Sequence, residues 1–222
     1  MSLKHPVIAI DGPAASGKSS VARLLAERLG WRYVNTGNMY RAVTAIAVEK
    51  GIDPHDQTQV GALAGSLRIE FSDTPKLHVI TKFEGRELAN AELNSEAVNA
   101  SVSFIARVPA VRDRLVKEQR SLNELGPLVM EGRDIGSVVF PHTPHKFYID
   151  ASEEVRAKRR KVQGHSDAVS LRDQIDSTRT TAPLVVSDGA CYIDSSEMTL
   201  EEVVSEVLAK LAPEGISTQT NA

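Results

Sequence analysis

The stretch VIAIDGPAASGKSS, residues 7–20, decides the fold of this chain. It opens on the apolar run Val7–Ile10, which is typical of a buried strand in a parallel sheet. Gly12–Ser19 follows and fits the pattern G-x-x-x-x-G-K-[ST] at every fixed position. From Lys18 to Leu29 apolar residues recur at helical spacing, and Gly30 stands where such a helix would end. The order of strand, glycine-rich turn and helix predicts a P-loop.

A P-loop binds phosphate through its backbone. The loop turns its N–H groups inward around phosphate oxygens, and the N-terminus of the following helix adds partial positive charge. Lys18 is expected to reach the β- and γ-phosphates, and the Ser19 hydroxyl is expected to bind Mg²⁺. A chance glycine-rich turn is the plainer interpretation, but the flanking strand and helix disfavour it.

The P-loop indicates a nucleotide but no particular reaction. A GTPase switch would need the motifs N-K-x-D and D-x-x-G, and the sequence contains neither. A motor or transport ATPase usually needs a longer chain with a second core. A kinase of small substrates needs an acceptor site and arginines to cover the phosphates, and this chain has arginines at useful places: Arg41, Arg112, Arg133, Arg159, Arg160, Arg172 and Arg179.

Composition narrows the class of protein further. The 222 residues are 41% hydrophobic and 25% charged, which suits one globular domain with room for an insertion. The net charge of −3 disfavours a protein whose main task is to grip nucleic acid. The single cysteine, Cys191, excludes an intrachain disulfide. Without a signal peptide or a long apolar run, we expect a cytoplasmic protein with no membrane partner.

The rest of the chain predicts an α/β fold. A strand over Trp31–Val34 and a helix over Tyr40–Glu49 continue the alternation that builds a parallel sheet. The middle differs, because short strands bounded by turns predict a small antiparallel insertion: Leu67–Phe71, Lys76–Phe83 and the stretch around Arg86-Glu87-Leu88. Further helices are predicted over Ser95–Ala106, over Pro109–Leu125, from Ser152 and from Thr199, and further strands over Leu128–Met130, Lys146–Ile149 and Cys191–Asp194.

Several motifs in one order resemble the cytidylate kinases of the nucleoside monophosphate kinase superfamily, over nearly the whole chain. Two of them are similar to the family patterns D-S-G-x-x-Y-R and D-G-R-D-x-G-T-x-V-x-P, and a third is close to R-D-x-x-D-x-x-R-x-x-A-P-L. The matching stretches are Ile10-Asp11-Gly12-Pro13, NTGNMYR over 35–41, EGRDIGSVVFP over 131–141, Asp150-Ala151-Ser152 leading to Arg156 and Arg159-Arg160, and RDQIDSTR over 172–179 before Ala182-Pro183-Leu184.

The resemblance implies the reaction ATP + CMP ⇌ ADP + CDP, with Mg²⁺ as cofactor and dCMP as a second acceptor. It implies a P-loop three-layer α/β/α fold with a parallel sheet core, a small antiparallel substrate-binding insertion and a helical lid. Residues 1–222 would form one domain, with the core in 1–50 and 126–222, the insertion in 51–125 and the lid within 156–184. Its partners would be the small molecules CMP, dCMP and ATP, and it would be a monomer.

The resemblance also implies roles for residues at matching positions. Lys18, Arg133 and Arg179 would be catalytic, and Ser19 would hold the metal. ATP would be bound by Gly12, Pro13, Ala14, Ala15, Ser16, Gly17, Lys18, Ser19, Ser20, Arg159 and Arg160. CMP would be bound by Thr36, Gly37, Tyr40, Arg41, Ser103, Arg112, Arg133, Asp134, Arg172, Asp176 and Arg179. Among these, Ser103, Arg112 and Asp134 would contact cytosine, Arg172 and Asp176 the ribose, and Arg41, Arg133 and Arg179 the acceptor phosphate.

Elementary chemistry agrees with this assignment. A nucleotide phosphate has its second pKa near 6, so the acceptor is mostly dianionic at neutral pH and needs no general base. It needs charge neutralisation and in-line alignment, which Lys, Arg and Mg²⁺ supply. Cytosine presents an N4 donor where uracil presents an acceptor, so Asp134 facing UMP would cost about 1–3 kcal/mol.

The sequence departs from the family pattern at four places. Asn35 and Glu131 replace aspartates, Thr36 replaces a serine and keeps its hydroxyl, and the segment between Arg160 and Arg172 is shorter than in the family. Plainer interpretations also exist: the basic run Arg156–Lys161 could be a solvated helix face, and Arg133-Asp134 a buried structural pair. Two other functions therefore stay open. One is another small-substrate P-loop kinase acting on UMP, shikimate or a similar acceptor, and the other is a nucleotide sensor without turnover.

Overall fold

The computed structural model describes residues 3–162 and 184–218. Its strands are β1 (Val7–Asp11), β2 (Arg32–Asn35), β3 (Ile69–Asp73), β4 (Val79–Phe83), β5 (Arg86–Glu87), β6 (Leu128–Gly132), β7 (His145–Asp150) and β8 (Cys191–Asp194). Its helices are α1 (Lys18–Leu29), α2 (Thr36–Glu49), α3 (Gln57–Ser66), α4 (Asn90–Leu93), α5 (Glu96–Ile105), α6 (Pro109–Ser121), α7 (Glu153–Val162) and α8 (Leu200–Leu211). Among these described helices, none combines the length and apolar character that crossing a membrane requires.

A five-stranded sheet in the order β2-β6-β1-β7-β8 forms the centre of the fold, and each pairing in it is parallel. The strand β1 lies in the middle and is buried along its whole length, as its unbroken apolar run predicts. The carboxyl ends of β1, β2, β6 and β7 therefore meet at one edge of the sheet.

Helices cover both faces of this sheet. On one face Ile8, Ile10 and Val129 pack against α1 and α8. On the other face Ala9 and Met130 pack in a second cluster that includes α6. Two helical layers around a parallel sheet confirm the predicted three-layer α/β/α fold.

The predicted antiparallel insertion is confirmed as a three-stranded sheet in the order β3-β4-β5. Behind it, the fully buried Phe83 packs in a cluster with α3, α5 and α6. The small sheet is attached beside β2, where the N–H of Tyr33 donates to the carbonyl of Leu77 at 3.0 Å and Arg32 forms a 2.9 Å ion pair with Asp73. The division of the chain at residues 50 and 125 stays a prediction.

One helix begins earlier than its sequence pattern indicates. The prediction began at Tyr40, but α2 begins at Thr36. The side chain of Asn35 accepts a hydrogen bond from the N–H of Asn38 at 3.1 Å and thereby caps the helix. The preceding strand is shifted by one residue from its predicted bounds and ends at Asn35. The turn from β2 to α2 is therefore abrupt, and it lies at the sheet edge where the other strands end.

Candidate active site

The predicted P-loop connects β1 to α1 at the carboxyl edge of the sheet, where ligands of α/β proteins bind. Gly12 has φ 157°, and a Cβ built on it would lie 2.1 Å from the carbonyl oxygen of Ile149. Gly17 has φ 94° and precedes α1 directly. Both positions require glycine, because a side chain would either collide with the neighbouring strand or strain the backbone. This explains why the glycines of the motif stand at these two places.

Positively charged side chains donate hydrogen bonds to the carbonyl oxygens at the start of the loop. The ammonium group of Lys18 donates to the carbonyl of Pro13 at 3.0 Å, and the side chain is 91% buried. The guanidinium group of Arg133 donates to the carbonyl of Gly12. Lys18 and Arg133 thus contact adjacent residues of the loop, although Lys18 belongs to α1 and Arg133 follows β6.

The helix α7 supplies two more arginines to the loop. Arg156 donates to the carbonyl of Ala14 at 3.3 Å. Arg159 donates to the carbonyl of Ser16 at 3.1 Å, and it also donates to the carbonyl of Ser195 at 2.9 Å. The loop is therefore surrounded by four positive groups from three parts of the chain. Such an arrangement attracts a polyanion, and the cluster supports functional roles for this basic helix.

A cavity of about 500 Å³ lies beside the loop, between α1, α7 and the start of α8. Its wall includes the predicted Ser20 and Arg159, together with apolar groups that sequence reasoning missed: Met198, Leu200 and Val203. Their signal in the sequence was their position shortly after β8, because residues that follow the carboxyl end of a strand in a parallel sheet lie near the site. The cavity has the volume and partly apolar lining of a small-molecule site.

Next to Arg133, an arginine and an aspartate form a buried ion pair. Arg112 of α6 donates to the carboxylate of Asp134, and both side chains are less than one-tenth exposed. The Arg112 guanidinium also lies 5.6 Å from the ring centroid of Tyr40. Ser103 is buried on α5. Three of these predicted residues thus meet directly, although they come from α2, α6 and the residues after β6.

Arg41 directly follows Tyr40 on α2 and contacts the helices of the insertion. Its guanidinium donates to the carbonyl of Leu93 at 2.8 Å and to the side-chain oxygen of Asn99 at 3.0 Å. The nearby Thr36 donates its hydroxyl to the carbonyl of Glu131 at 2.9 Å, and Gly37 follows it in the first turn. The predicted residues of this segment therefore lie along the junction between the sheet edge and the insertion.

A buried carboxylate joins the two sides of the site. Asp11 accepts hydrogen bonds from the N–H groups of Ile135 and Gly136, both at 2.8 Å. The pKa of Asp11 is raised to about 7, mainly by burial and also by the nearby Asp134 carboxylate, against the lowering effect of the two N–H groups and Lys18. The start of the P-loop is thereby fixed to the segment that carries Arg133 and Asp134.

Two of the departures from the family pattern, Asn35 and Glu131, lie side by side. Asn35 and Glu131 are register partners on β2 and β6. The hydroxyl of Tyr33 donates to Glu131 Oε1 at 3.3 Å, and Asn35 Nδ2 donates to the same hydroxyl at 3.4 Å. Burial, with the adjacent Glu131 charge, raises the pKa of Tyr33 well above its ordinary value, so its hydroxyl stays protonated.

Some predicted residues lie outside the described ranges, namely Arg172, Asp176 and Arg179, together with most of the predicted lid. Within the lid, α7 is described and carries the buried Arg160. Ser19 lies in the first turn of α1, half-buried, and Ala15 lies in the loop with φ 59°. Across the described part of the chain, no group of three or more His, Cys, Asp or Glu side chains is placed to hold a metal ion.

Comparison with known proteins agrees with this geometry. A family model described as cytidylate kinase matches residues 8–213. A cytidylate kinase of Pelotomaculum thermopropionicum is 43% identical over 218 residues, which cover 93% of this chain and 96% of the relative. The cytidylate kinase of Geobacillus thermodenitrificans is 41% identical over 90% of this chain and 94% of its own length. For that of Pseudomonas entomophila, the identity is 40% and the coverage 96% and 98%. The chain belongs to the cytidylate kinase family.

Proposed function

We propose that this protein transfers the γ-phosphate of ATP to CMP or dCMP, giving ADP and CDP or dCDP. Family membership supports the reaction, since its relatives bear the name cytidylate kinase. The observation that carries the substrate is the buried pair of Arg112 and Asp134, which adjoins Arg133, the residue that contacts the P-loop. A donor group and an acceptor group at that place match the edge of one pyrimidine base.

ATP would bind along the P-loop. The N–H groups of Gly12–Ser19 and the ammonium group of Lys18 would hold the phosphates, and Lys18 would leave the Pro13 carbonyl to do so. The base would enter the cavity of about 500 Å³, where Ser20 lies on one side and Arg159 on the other. Arg160 would stabilise the phosphates from the same helix.

The donor end offers oxygen ligands that fit a magnesium ion. The Ser19 hydroxyl lies at the start of α1, and Glu131 supplies a buried carboxylate from β6, on the sheet face that α1 covers. Magnesium in such sites is held by one or two protein oxygens together with substrate phosphates rather than by a protein cage. When bound with ATP, the ion would neutralise charge on the phosphates as the γ-phosphate moves.

The phosphate of CMP would be bound by arginines. Arg41, which contacts the insertion, and Arg133, which contacts the P-loop, would approach the phosphate from two directions, and Arg179 would join them from the lid. Arg172 and Asp176 would contact the ribose, while Tyr40, Thr36 and Gly37 would line the acceptor side. Because these groups neutralise a dianion without removing a proton from it, the reaction needs alignment rather than a base.

Cytosine would be recognised by the Arg112–Asp134 pair, with Ser103 beside it. Asp134 would accept from the N4 amino group, and Arg112 would donate to the O2 and N3 edge. Uracil would place its O4 acceptor against the same carboxylate, which costs about 1–3 kcal/mol. The ion pair keeps both groups oriented before the base arrives.

Closure of the lid within 156–184 would exclude water from the phosphates and limit wasteful ATP hydrolysis. The protein would act as a monomer on small molecules in the cytoplasm, without nucleic acid or membrane as partners. No observation favours UMP or shikimate as the acceptor, or a sensor without turnover.

Coupled ADP-release assays test this proposal directly. With Mg²⁺ and ATP, CMP and dCMP should each stimulate ADP release, whereas UMP should be a poorer acceptor and shikimate inactive. Equal kcat/KM for CMP and UMP would contradict the assigned base contacts. Binding of ATP without any CMP-dependent ADP release would instead identify a nucleotide sensor.

A further inference from the structure

Glu131 lies at the carboxyl edge of the sheet and is 98% buried. Side chains alternate along a strand, so Glu131 shares its face with Val129, which packs against α1. The Glu131 carboxylate is therefore on the side of the sheet where α1 begins and where the phosphates of ATP are proposed to bind. A buried carboxylate in such a place needs partners that fix its direction.

The orientation of the Glu131 carboxylate depends first on the side-chain amide of Asn35. The side-chain oxygen of Asn35 accepts from the N–H of Asn38 and caps α2. Because the oxygen is used in this way, the NH₂ group of the same amide faces the hydroxyl oxygen of Tyr33, at 3.4 Å. The amide cannot flip without removing the cap, so Asn35 is a donor toward Tyr33.

The single hydroxyl proton of Tyr33 is consequently directed to Glu131 Oε1, at 3.3 Å. The tyrosine is itself held from the insertion: its ring lies edge-on to His78 with centroids 5.3 Å apart, and its N–H donates to Leu77. Asn35, Tyr33 and Glu131 thus form a chain of hydrogen bonds with one direction, from amide to hydroxyl to carboxylate.

An aspartate at position 35 would change this chain. One carboxylate oxygen could still cap α2, but the other would accept the Tyr33 proton in place of donating to the hydroxyl. Two carboxylates on adjacent strands would then compete for one proton, and the edge would carry a second negative charge. Asn35 therefore determines the direction of these hydrogen bonds and the charge carried by the paired ends of β2 and β6.

We propose that Tyr33 and Asn35 are positioning residues that direct Glu131 and keep the paired ends of β2 and β6 at one carboxylate, which sets how strongly the protein prefers metal-bound over metal-free nucleotide. This inference rests on the proposed function, because it assigns Glu131 to the metal side of bound ATP. A negative group there strengthens nucleotide binding when a cation accompanies the phosphates. Without a cation, it repels the phosphates and weakens binding.

The test is a ratio of dissociation constants measured by calorimetry. The β,γ-imido analogue of ATP is titrated once with excess Mg²⁺ and once with EDTA, and the preference is Kd in EDTA divided by Kd in Mg²⁺. A variant that binds nucleotide less well in general, or that is partly unfolded, has lower affinity both in Mg²⁺ and in EDTA. Such a loss cancels in the ratio. The measurement involves no turnover.

Glu131→Gln should lower this preference about 10- to 100-fold. Tyr33→Phe, which removes only the hydroxyl, should lower it about two- to tenfold. Asn35→Asp should raise it about fivefold, because the added charge attracts the cation and repels bare phosphate. Tyr192→Phe is the matched control: Tyr192 lies on β8, the outer strand farthest from β2, and donates to Asp150 at 3.2 Å, so its ratio should equal that of the wild type.

Tyr33→Phe should lower the metal preference and Asn35→Asp should raise it. A purely structural role of the two residues would not produce changes of opposite sign. The inference is overturned if both variants keep the wild-type ratio, if both shift it in the same direction, or if the wild type shows no preference. Failure of the proposed function is separate: it would appear as absent CMP-dependent ADP release, whatever the ratio.

Discussion

The two proposed ends of the candidate site are built from different groups. The proposed donor end is formed by backbone: the loop from Gly12 to Ser19, with positive side chains bonded to its carbonyl oxygens. The proposed acceptor end is formed by side chains, with Arg112 paired to Asp134 and Arg41 bonded to the insertion. Backbone groups recognise phosphate, which every nucleotide has, whereas side chains at fixed places can distinguish one base from another.

This difference predicts how each end responds to mutation. Changes at the donor end should affect the rate of transfer with any acceptor, since the phosphates of ATP are common to every turnover. Changes at the acceptor end should affect the choice between bases. Asp11 joins the two ends, because it is the last residue of β1, directly before the loop, and accepts from the N–H groups of the two residues after Asp134.

The largest effect is expected from Lys18→Ala. Loss of the ammonium group removes charge stabilisation of the phosphates in the transition state, so kcat should fall roughly 100- to 1000-fold. The ratio of kcat/KM for CMP over UMP should stay near its wild-type value. Steady-state kinetics with both acceptors measures this.

Lys4→Ala is the control, because Lys4 is exposed and pairs with Glu124. It should leave kcat unchanged, and a thermal melt should show that the Lys18 variant still folds. Unchanged turnover in Lys18→Ala would contradict the donor assignment.

Asp134→Asn should break the selectivity of the acceptor end. An amide can donate to the O4 of uracil, so the CMP over UMP ratio of kcat/KM should fall about 10- to 100-fold. Asp113→Asn, one residue from Arg112 but exposed, is the matched control and should keep the wild-type ratio. Selectivity that survives in Asp134→Asn would show that cytosine is recognised elsewhere.

The carboxylate between the two ends should make stability depend on pH. Because the pKa of Asp11 is raised from 3.8 to about 7, the folded state binds a proton that the unfolded state has released within that window. The contribution of Asp11 to the free energy of unfolding is therefore largest below pH 4 and is lost as pH rises toward 7, at up to about 1.4 kcal/mol per pH unit.

Urea unfolding of the wild type and of Asp11→Asn between pH 5 and 8 measures this contribution. The difference in unfolding free energy should decline up to about pH 7 and then level off. A difference that is constant, or that grows with pH, would show that Asp11 is ionised throughout.

The smallest effect is expected from Thr199→Ala beside the donor cavity. Thr199 accepts from the N–H of Glu202 at 3.3 Å and caps α8, so its loss should lower the free energy of unfolding by about 1 kcal/mol. The CMP over UMP ratio should stay unchanged. A shift in that ratio would mean that the two ends are less separate than their construction indicates.

Local patterns were sufficient for the parallel core and the donor loop. The run before Asp11 and the capping box at Thr199 each carry their own signal within a few residues. The cluster of arginines on the loop could not be predicted in this way. Arg156 and Arg159 reach the loop only because α7 folds back over it, and that depends on tertiary contacts.

The helix α3 was missed because its sequence argues weakly for a helix. Its ten residues include Gly61 and Gly65, which lower helix propensity. The fold uses one of them: a Cβ on Gly61 would lie 3.2 Å from the Cβ of Ala110, so the glycine lets α3 pack closely against α6. The close approach, and not local propensity, explains this helix.

The order of strands also bears on synthesis by the ribosome. The central strand β1 leaves the exit tunnel first, yet it pairs only with β6 and β7, as in Val7 with Leu128 and Ile8 with His145. Until those residues emerge, the nascent chain exposes an apolar strand with both edges bare, the kind of segment that aggregates and that chaperones bind. The antiparallel hairpin β3–β4 closes locally and can form earlier, so the peripheral sheet is complete before the central one.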